Sequence, residues 1–325
     1  MKIPHWRILL PIGIALSVIL LVVLILVWPG SHSETPQQTD PTEPAPSTPA
    51  FGWRGEGNFR YYLLEDGTRH IGWLEEDGAK YFFKNNSFLH TGWLTLDDAT
   101  YYFMENGKMA TGKHVIDGNN YYFTADGKSF LLVNPWSPVP EGYQPTLNPI
   151  PSTYADRNMQ VDQACYDALI SMLSDAHLSG EFTLRVISAY RTQEMQEENF
   201  NKKLSSLMAQ GLSYEEAYEK TCTIIAVPGT SEHQIGLAVD IIDMRLLDLT
   251  EEQADTPGQQ WLMEHCWEYG FVLRYPKDKT NETGIIYEPW HYRYVGTELA
   301  QILRDNGLTL EAYMDSISNA ETIDN

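Results

Sequence analysis

Cysteine is scarce in this chain: Cys165, Cys222 and Cys266 are the only three in 325 residues. An odd set without Cys-x-x-Cys spacing excludes a disulfide framework and a thiolate metal cage, and predicts small buried hydrophobes, although one pair remains able to oxidise in an oxidising compartment. Positive charge is scarce too. With 22 Lys and Arg against 44 Asp and Glu, the formal charge is -22, which repels phosphate backbones and excludes nucleic acid as a partner. An anionic surface would have to be held by something other than bulk charge. Also missing are a His-Glu-x-x-His helix, a Gly-x-Ser-x-Gly elbow and a Ser-x-x-Lys set, so the helical two-histidine zinc plan and the common serine acyl-enzyme plans do not apply.

What is present begins with one long apolar run. Residues 8–27 carry no charged side chain, and about 20 residues at 1.5 Å rise cross a hydrocarbon core of about 30 Å. The run predicts a single-pass transmembrane helix. Lys2, His5 and Arg7 precede it and no comparable basic cluster follows, which puts the N-terminus in the cytoplasm and the rest of the chain outside. Trp28-Pro29-Gly30 offers no small-x-small cleavage site, so the segment is expected to stay as a membrane anchor. Residues 31–50, rich in Pro, Thr, Ser and Gln, predict a flexible spacer.

An internal repeat follows. Gly52-Trp53, Gly72-Trp73 and Gly92-Trp93 recur every 20 residues, with Gly112-Lys113 in the next slot; aromatic triplets keep step at 61–63, 81–83, 101–103 and 121–123. Asp77-Gly78, Asp117-Gly118 and Asp126-Gly127 supply turn chemistry, so each copy reads as a β-hairpin. One hairpin cannot bury its own aromatic face. Stacked copies form an all-β solenoid whose grooves are lined by Trp and Tyr, with Trp53, Trp73 and Trp93 as candidate ligand-binding platforms.

Beyond a second Pro-rich stretch, the composition becomes an ordinary α+β mixture. Hydrophobic spacing predicts helices at 161–173, 192–210, 214–224, 259–269 and 299–317, and strands at 183–188, 237–242, 271–275 and 291–295. Helices packed on one side of a small antiparallel sheet are the expected layout. The domain plan is a cytoplasmic stub and anchor at 1–30, a linker at 31–50, repeats at 51–133, a linker at 134–158 and a final domain at 159–325.

Two runs in that last domain carry chemistry. Ser231-Glu232-His233-Gln234-Ile235-Gly236-Leu237-Ala238-Val239-Asp240 and Glu288-Pro289-Trp290-His291 together offer two imidazoles and a carboxylate as zinc ligands, with a second carboxylate beside them. That is the composition of a hydrolytic site that keeps one metal position open for water. Gly236 lets His233 sit on a turn while Asp240 projects from the strand after it, and Pro289 permits an irregular entry that curls Glu288 back toward His291. Taken singly, a histidine or a surface glutamate is uninformative.

Jointly with Ser188-Ala189-Tyr190-Arg191-Thr192, these runs resemble, in order and spacing, the VanY-type D-alanyl-D-alanine carboxypeptidases, zinc peptidases of bacterial peptidoglycan. The resemblance implies His233, Asp240 and His291 as Zn2+ ligands and Glu288 as catalytic base. It implies that Arg191 holds either the substrate carboxylate or the oxyanion, and that Ser231 and Gln196 contact substrate. The repeats resemble cell-wall-binding repeats of the choline-binding and glucan-binding group, through the Gly-Trp pairs, the triplets and residues 106–112. Lys80, Thr100 and Asn120 stand where choline binders carry a Trp, so the expected ligand is a wall polysaccharide or teichoic acid. The implied function is removal of the terminal D-Ala from peptidoglycan stem pentapeptides at the cell surface, from a single-pass membrane protein whose catalytic domain lies in the wall. The alternatives are an L,D-carboxypeptidase acting on stem tetrapeptides and a non-catalytic wall-binding surface protein.

Overall fold

The 20-residue period folds into four hairpins of identical register. In the computed structural model, which describes residues 51–323 apart from 97, 98, 117, 156 and 181, β1 (Gly52–Arg54) pairs with β2 (Tyr61–Leu63), β3 (Gly72–Glu76) with β4 (Ala79–Phe83), β5 (Gly92–Leu96) with β6 (Ala99–Phe103), and β7 (Gly112–Ile116) with β8 (Asn119–Phe123). The opening glycine always faces the last triplet residue: Gly52 opposes Leu63, Gly72 Phe83, Gly92 Phe103 and Gly112 Phe123. Asp77 and Gly78 both adopt positive φ, 51° and 72°, which is the backbone that a two-residue hairpin of native twist needs. Consecutive repeats are stitched by backbone bonds, Leu89 N to Arg60 O and Met109 N to Lys80 O, both 2.8 Å. Rings complete the stacking. Trp53, Trp73 and Trp93 meet Tyr81, Tyr101 and Tyr121 of the following copy edge-on at 4.9, 5.1 and 4.8 Å, around Phe83, Phe103 and Phe123, all fully buried.

A short strand, β9 (Ser129–Phe130), extends the last hairpin. The Pro-rich stretch after it is tied down at its far end, where β10 (Leu147–Pro149) pairs with β11 (Gln160–Asp162). Next come α1 (Gln163–Ser179), β12 (Leu184–Ser188), α2 (Gln193–Ala209), α3 (Tyr214–Ile224), β13 (Ala238–Asp243), α4 (Pro257–His265), β14 (Phe271–Leu273), α5 (Thr280–Thr283), β15 (His291–Tyr294), α6 (Thr297–Asn306) and α7 (Leu310–Ile323). Side-chain caps start the helices: Asp162 accepts from Ala164 N, Thr192 from Met195 N, and Ser213 forms a capping box with Glu216, each satisfying an amide that the helix itself leaves bare.

The sheet runs β12-β13-β15-β14, antiparallel throughout. Strand alternation gives it two characters. Val239, Ile241 and Tyr292 join Leu169, Met172 and Leu262 of α1 and α4 in the core, while Asp240 and His291, directly opposed in the β13–β15 register, project from the other face.

Two expectations need correction. The closing helix is two helices, because Gly307 enters the left-handed region at φ 62° and receives the α6 C-terminus, and Thr309 Oγ1 then caps Ala312 N to start α7; Gly and Thr are a stop and a start signal that outweigh the apolar period. The transmembrane helix is not part of the fold described. Its residues 8–27 lie outside the described residues, and among the described residues no helix is long and apolar enough to cross a membrane. The 17-residue helices α1 and α2 are shorter than the roughly 20 residues a span requires. The fold is an α+β domain with β-hairpin repeats.

Repeats and domain meet in one compact unit, 50–325. Tyr122 and Leu132 pack with Leu299, Leu303, Leu310, Tyr313 and Met314 of α6 and α7. Polar links cross the same seam: Ala125 N donates to Tyr313 Oη at 3.2 Å, Asn134 Nδ2 to Glu311 Oε1 at 2.8 Å, and Lys128 pairs with Glu298.

Candidate metal centre

Three local structures deliver the site. His233 sits on a 3₁₀ turn, Glu232–Ile235, closed by Gly236 at φ 74°. A Cβ on Gly236 would stand 3.0 Å from Asp162 N, so glycine is required here for close approach as well as for backbone hand. Asp240 and His291 arrive as a cross-strand pair. Glu288 is carried by the turn before β15, in which His291 N donates to Glu288 O at 3.2 Å.

The groups converge. One ligand atom each from His233, Asp240 and His291 lie within 4.8 Å of one another. Asp240 Oδ2 is 3.2 Å from His233 Nε2, and Asp240 Oδ1 is 3.0 Å from His291 Nδ1. All three residues are at most 3% exposed. Glu288 Oε2 stands 3.7 Å from His291 Nδ1, with 12% of its side chain exposed.

Electrostatics assign different states to these neighbours. His233 donates from Nδ1 to Ala189 O at 2.8 Å, and burial, aided by the Arg191 charge, lowers its pKa to about 4; the ring is neutral with Nε2 bare. Burial works against charge on Asp240 as well, but His233 and His291 more than offset it and hold the carboxyl well below its usual range. Burial disfavours the His291 cation, yet contacts to Asp240 and Glu232 and the Glu288 charge lift it to about 9. Burial pushes Glu288 up to about 8 against the pull of His291. The cluster therefore draws positive charge to its centre. Asp240 Oδ1 has no hydrogen-bond donor among the described residues, and two imidazoles with one carboxylate are a donor set that suits zinc and leaves a fourth position open.

Around the ligands is a cleft of about 350 Å³, lined by Arg191, Lys203, Ser231, Tyr275, Glu288, Trp290 and apolar Ile224, Ile225, Ile285 and Ile286 among others. Arg191 lies just beyond β12, donating from Nη2 to Asp240 Oδ2 at 2.9 Å and to Ser188 Oγ at 2.8 Å. Ser231, 3% exposed, lines the same cleft. Gln196 does not. It is fully buried on α2, accepting from Arg191 Nη1 at 3.2 Å and donating to Ala226 O at 2.8 Å, which places it behind the arginine. Trp53, Trp73 and Trp93 lie far along the repeats, and each is engaged in ring packing, with Trp73 and Trp93 still 41% and 40% exposed.

Sequence reading missed four groups at the site. Glu232, Arg274 and Arg293 form a buried ion cluster behind His291, and the Tyr275 ring packs tilted against His291 with centroids 4.7 Å apart. Glu232 stood beside a ligand in the motif and Arg293 on the His291 face of its strand; for Arg274 and Tyr275 no local signal exists.

Comparison with known proteins agrees with this geometry. Residues 158–297 match the VanY D-alanyl-D-alanine carboxypeptidase family, residues 90–134 a choline-binding repeat and residues 71–86 a cell wall binding repeat. A D-alanyl-D-alanine carboxypeptidase of Enterococcus faecalis is 37% identical over 191 residues, which cover 58% of this chain and 66% of that relative. The crystal structure of a vancomycin resistance D,D-pentapeptidase VanY mutant with Zn(II) is 38% identical with a TM-score of 0.51, covering 57% of this chain and 97% of that one. The LdcB LD-carboxypeptidase structure is 32% identical, also with a TM-score of 0.51, covering 63% and 94%. On that shared fold and sequence, the chain belongs to the VanY family of zinc-dependent D-alanyl-D-alanine carboxypeptidases, with cell-wall-binding repeats preceding the peptidase domain.

Proposed function

We propose that this protein removes the terminal D-alanine from peptidoglycan stem pentapeptides, outside the cytoplasm, while its repeats hold it to the wall. The observation that carries the reading is the convergence of His233, Asp240 and His291 within 4.8 Å, with Glu288 3.7 Å from His291 on the floor of a cleft. His233 Nε2, one Asp240 oxygen and His291 Nδ1 would hold the metal. Zinc, when bound, polarises a carbonyl and brings the pKa of a water near 7.

The remaining steps belong to the chain. Glu288 takes a proton at Oε2 from the attacking water and returns it to the leaving amine, a role for which a carboxylate raised toward the working pH is suited. Arg191, fixed by Ser188, Gln196 and Asp240, lines the cleft and presents a guanidinium to negative charge on the substrate, at its terminal carboxylate or at the developing oxyanion. Ser231 on the cleft wall adds a hydroxyl beside it. The apolar isoleucines exclude water, which strengthens each of these interactions.

The test is mass spectrometry of muropeptides incubated with the full chain. Loss of one alanine from pentapeptide supports the reading. Loss from tetrapeptide alone overturns it in favour of L,D-carboxypeptidase activity, the second reading, which the likeness to LdcB favours. Glu288→Gln should retain zinc and lose turnover by two or more orders of magnitude, the size expected for a general base.

The repeats take a wall polysaccharide or teichoic acid. Half-exposed Trp73 and Trp93, and a groove of about 1580 Å³ that includes Trp93, Tyr101 and Tyr121, supply aromatic platforms. Inactive Glu288→Gln protein should sediment with cell walls and pass through choline resin; firm retention on choline would assign that ligand instead.

A further inference from the structure

Glu232 is the least expected side chain near the centre. It is 0% exposed at the side chain, next in sequence to the ligand His233, and its Oε1 sits 2.8 Å from Arg274 Nε and 2.9 Å from Arg293 Nη1. Both guanidiniums are 1% exposed. The other oxygen, Oε2, has no hydrogen-bond partner among the described residues, and neither has His291 Nε2; these two buried atoms face each other at 3.7 Å. An acceptor and a donor in that position satisfy one another with a small turn of the ring, and buried polar atoms are paired in nearly all native proteins.

A purely structural ion cluster is the competing account. Buried ion pairs add little net stability over apolar side chains of equal volume, so stability alone is a poor reason for three charged groups here. Charge supplies a better one. Glu311 on α7 receives the outer side of Arg274, at 2.9 Å from Nη1 and 2.5 Å from Nη2, so two carboxylates stand against two guanidiniums and Oε2 of Glu232 is left over to face His291. The other histidine is held likewise, since His233 donates a hydrogen bond from Nδ1–H to Ala189 O and turns Nε2 to Asp240. His291 needs an acceptor on the opposite nitrogen, and Glu232 is the group that faces it.

We propose that Glu232 is a positioning residue of the metal centre: its Oε2 accepts a hydrogen bond from the Nε2–H of His291, fixing the tautomer and ring orientation that leave Nδ1 bare toward Asp240 and the ion. This rests on the reading of His233, Asp240 and His291 as zinc ligands. Acceptors behind ligand histidines commonly tune metal affinity by about 10–100-fold.

Chelator competition on the purified full chain measures zinc affinity directly. Glu232→Gln, whose amide still accepts from an arginine but meets His291 with an N–H, should bind zinc about 10–100-fold more weakly and shift the visible spectrum of the cobalt-substituted protein. Glu311→Gln, which loosens the same arginine from its far side, should keep wild-type affinity; a loss matching that of Glu232→Gln would reduce Glu232 to a structural part and overturn the proposal. So would a folded Glu232→Gln protein with unchanged affinity and cobalt spectrum. Should Glu232→Gln fail to fold, nitrogen-15 spectra of the zinc-loaded wild type decide, because the proposal requires the His291 ring proton on Nε2, and metallation through Nε2 would overturn it. A wild-type chain that binds no zinc would instead sink the ligand assignment beneath it.

Discussion

The repeats bury rings, and the peptidase domain buries charges. Phe83, Phe103 and Phe123 are the largest fully buried side chains of the solenoid, each touched by a tryptophan of the preceding copy, and among the described residues the side chains that carry a formal charge there stay near the surface. In the domain, Arg274 and Arg293 are the largest fully buried side chains, neutralised by Glu232 and Glu311. The difference follows from function. Stacked hairpins need only non-directional apolar contact repeated at a fixed interval, whereas a metal site must place several polar groups in one geometry, which requires oriented partners behind each of them.

This contrast can be broken in graded steps. The largest effect should come from stripping zinc: dialysis against chelator abolishes alanine release while wall sedimentation of the same sample is unchanged, and a parallel loss of both would show that the two regions are not separable. Next is Phe103→Ala, expected to cost about 3–5 kcal/mol as a buried aromatic truncation; denaturant titration should register that loss, and wall retention should fall before zinc content does. At the seam, Glu311→Gln leaves the buried Arg274 with one carboxylate and should destabilise by about 1–3 kcal/mol, read as a lower unfolding midpoint. An unchanged midpoint would mean that water reaches this pair.

The smallest test concerns thiols. All three cysteines are free, and burial pushes Cys165 and Cys266 up to about 12. A raised pKa keeps a thiol protonated at every pH below it, so alkylation of native protein at pH 8 should modify half-buried Cys222 first and leave the other two until the chain unfolds. Prompt labelling of Cys165 would contradict the tight α1 packing.

The degree to which each region could be read in advance differs for the same reason as their packing. The repeats are legible because Gly-Trp and the aromatic triplets encode each hairpin within 12 residues or so, the range of a local motif. His233, Asp240, His291 and Glu288 are legible because metal chemistry restricts residue types at spacings that a turn and a strand impose. The bonds of Gln196 to Arg191 and Ala226 are not legible, since helix position alone does not reveal them, and the break at Gly307 is hidden because an apolar period runs across it.

By itself, then, the order of residues determined the hairpins, their 20-residue step, the ligand types and the family's chemistry, all of which depend on neighbours along the chain or on side-chain identity. Only the folded molecule decided that Asp240 would face His291 across two strands, that Glu232 would stand behind it and that α7 would close the seam with the repeats. These contacts join residues up to 188 positions apart, as with Ala125 and Tyr313, and such pairings are set by packing, which no local pattern records.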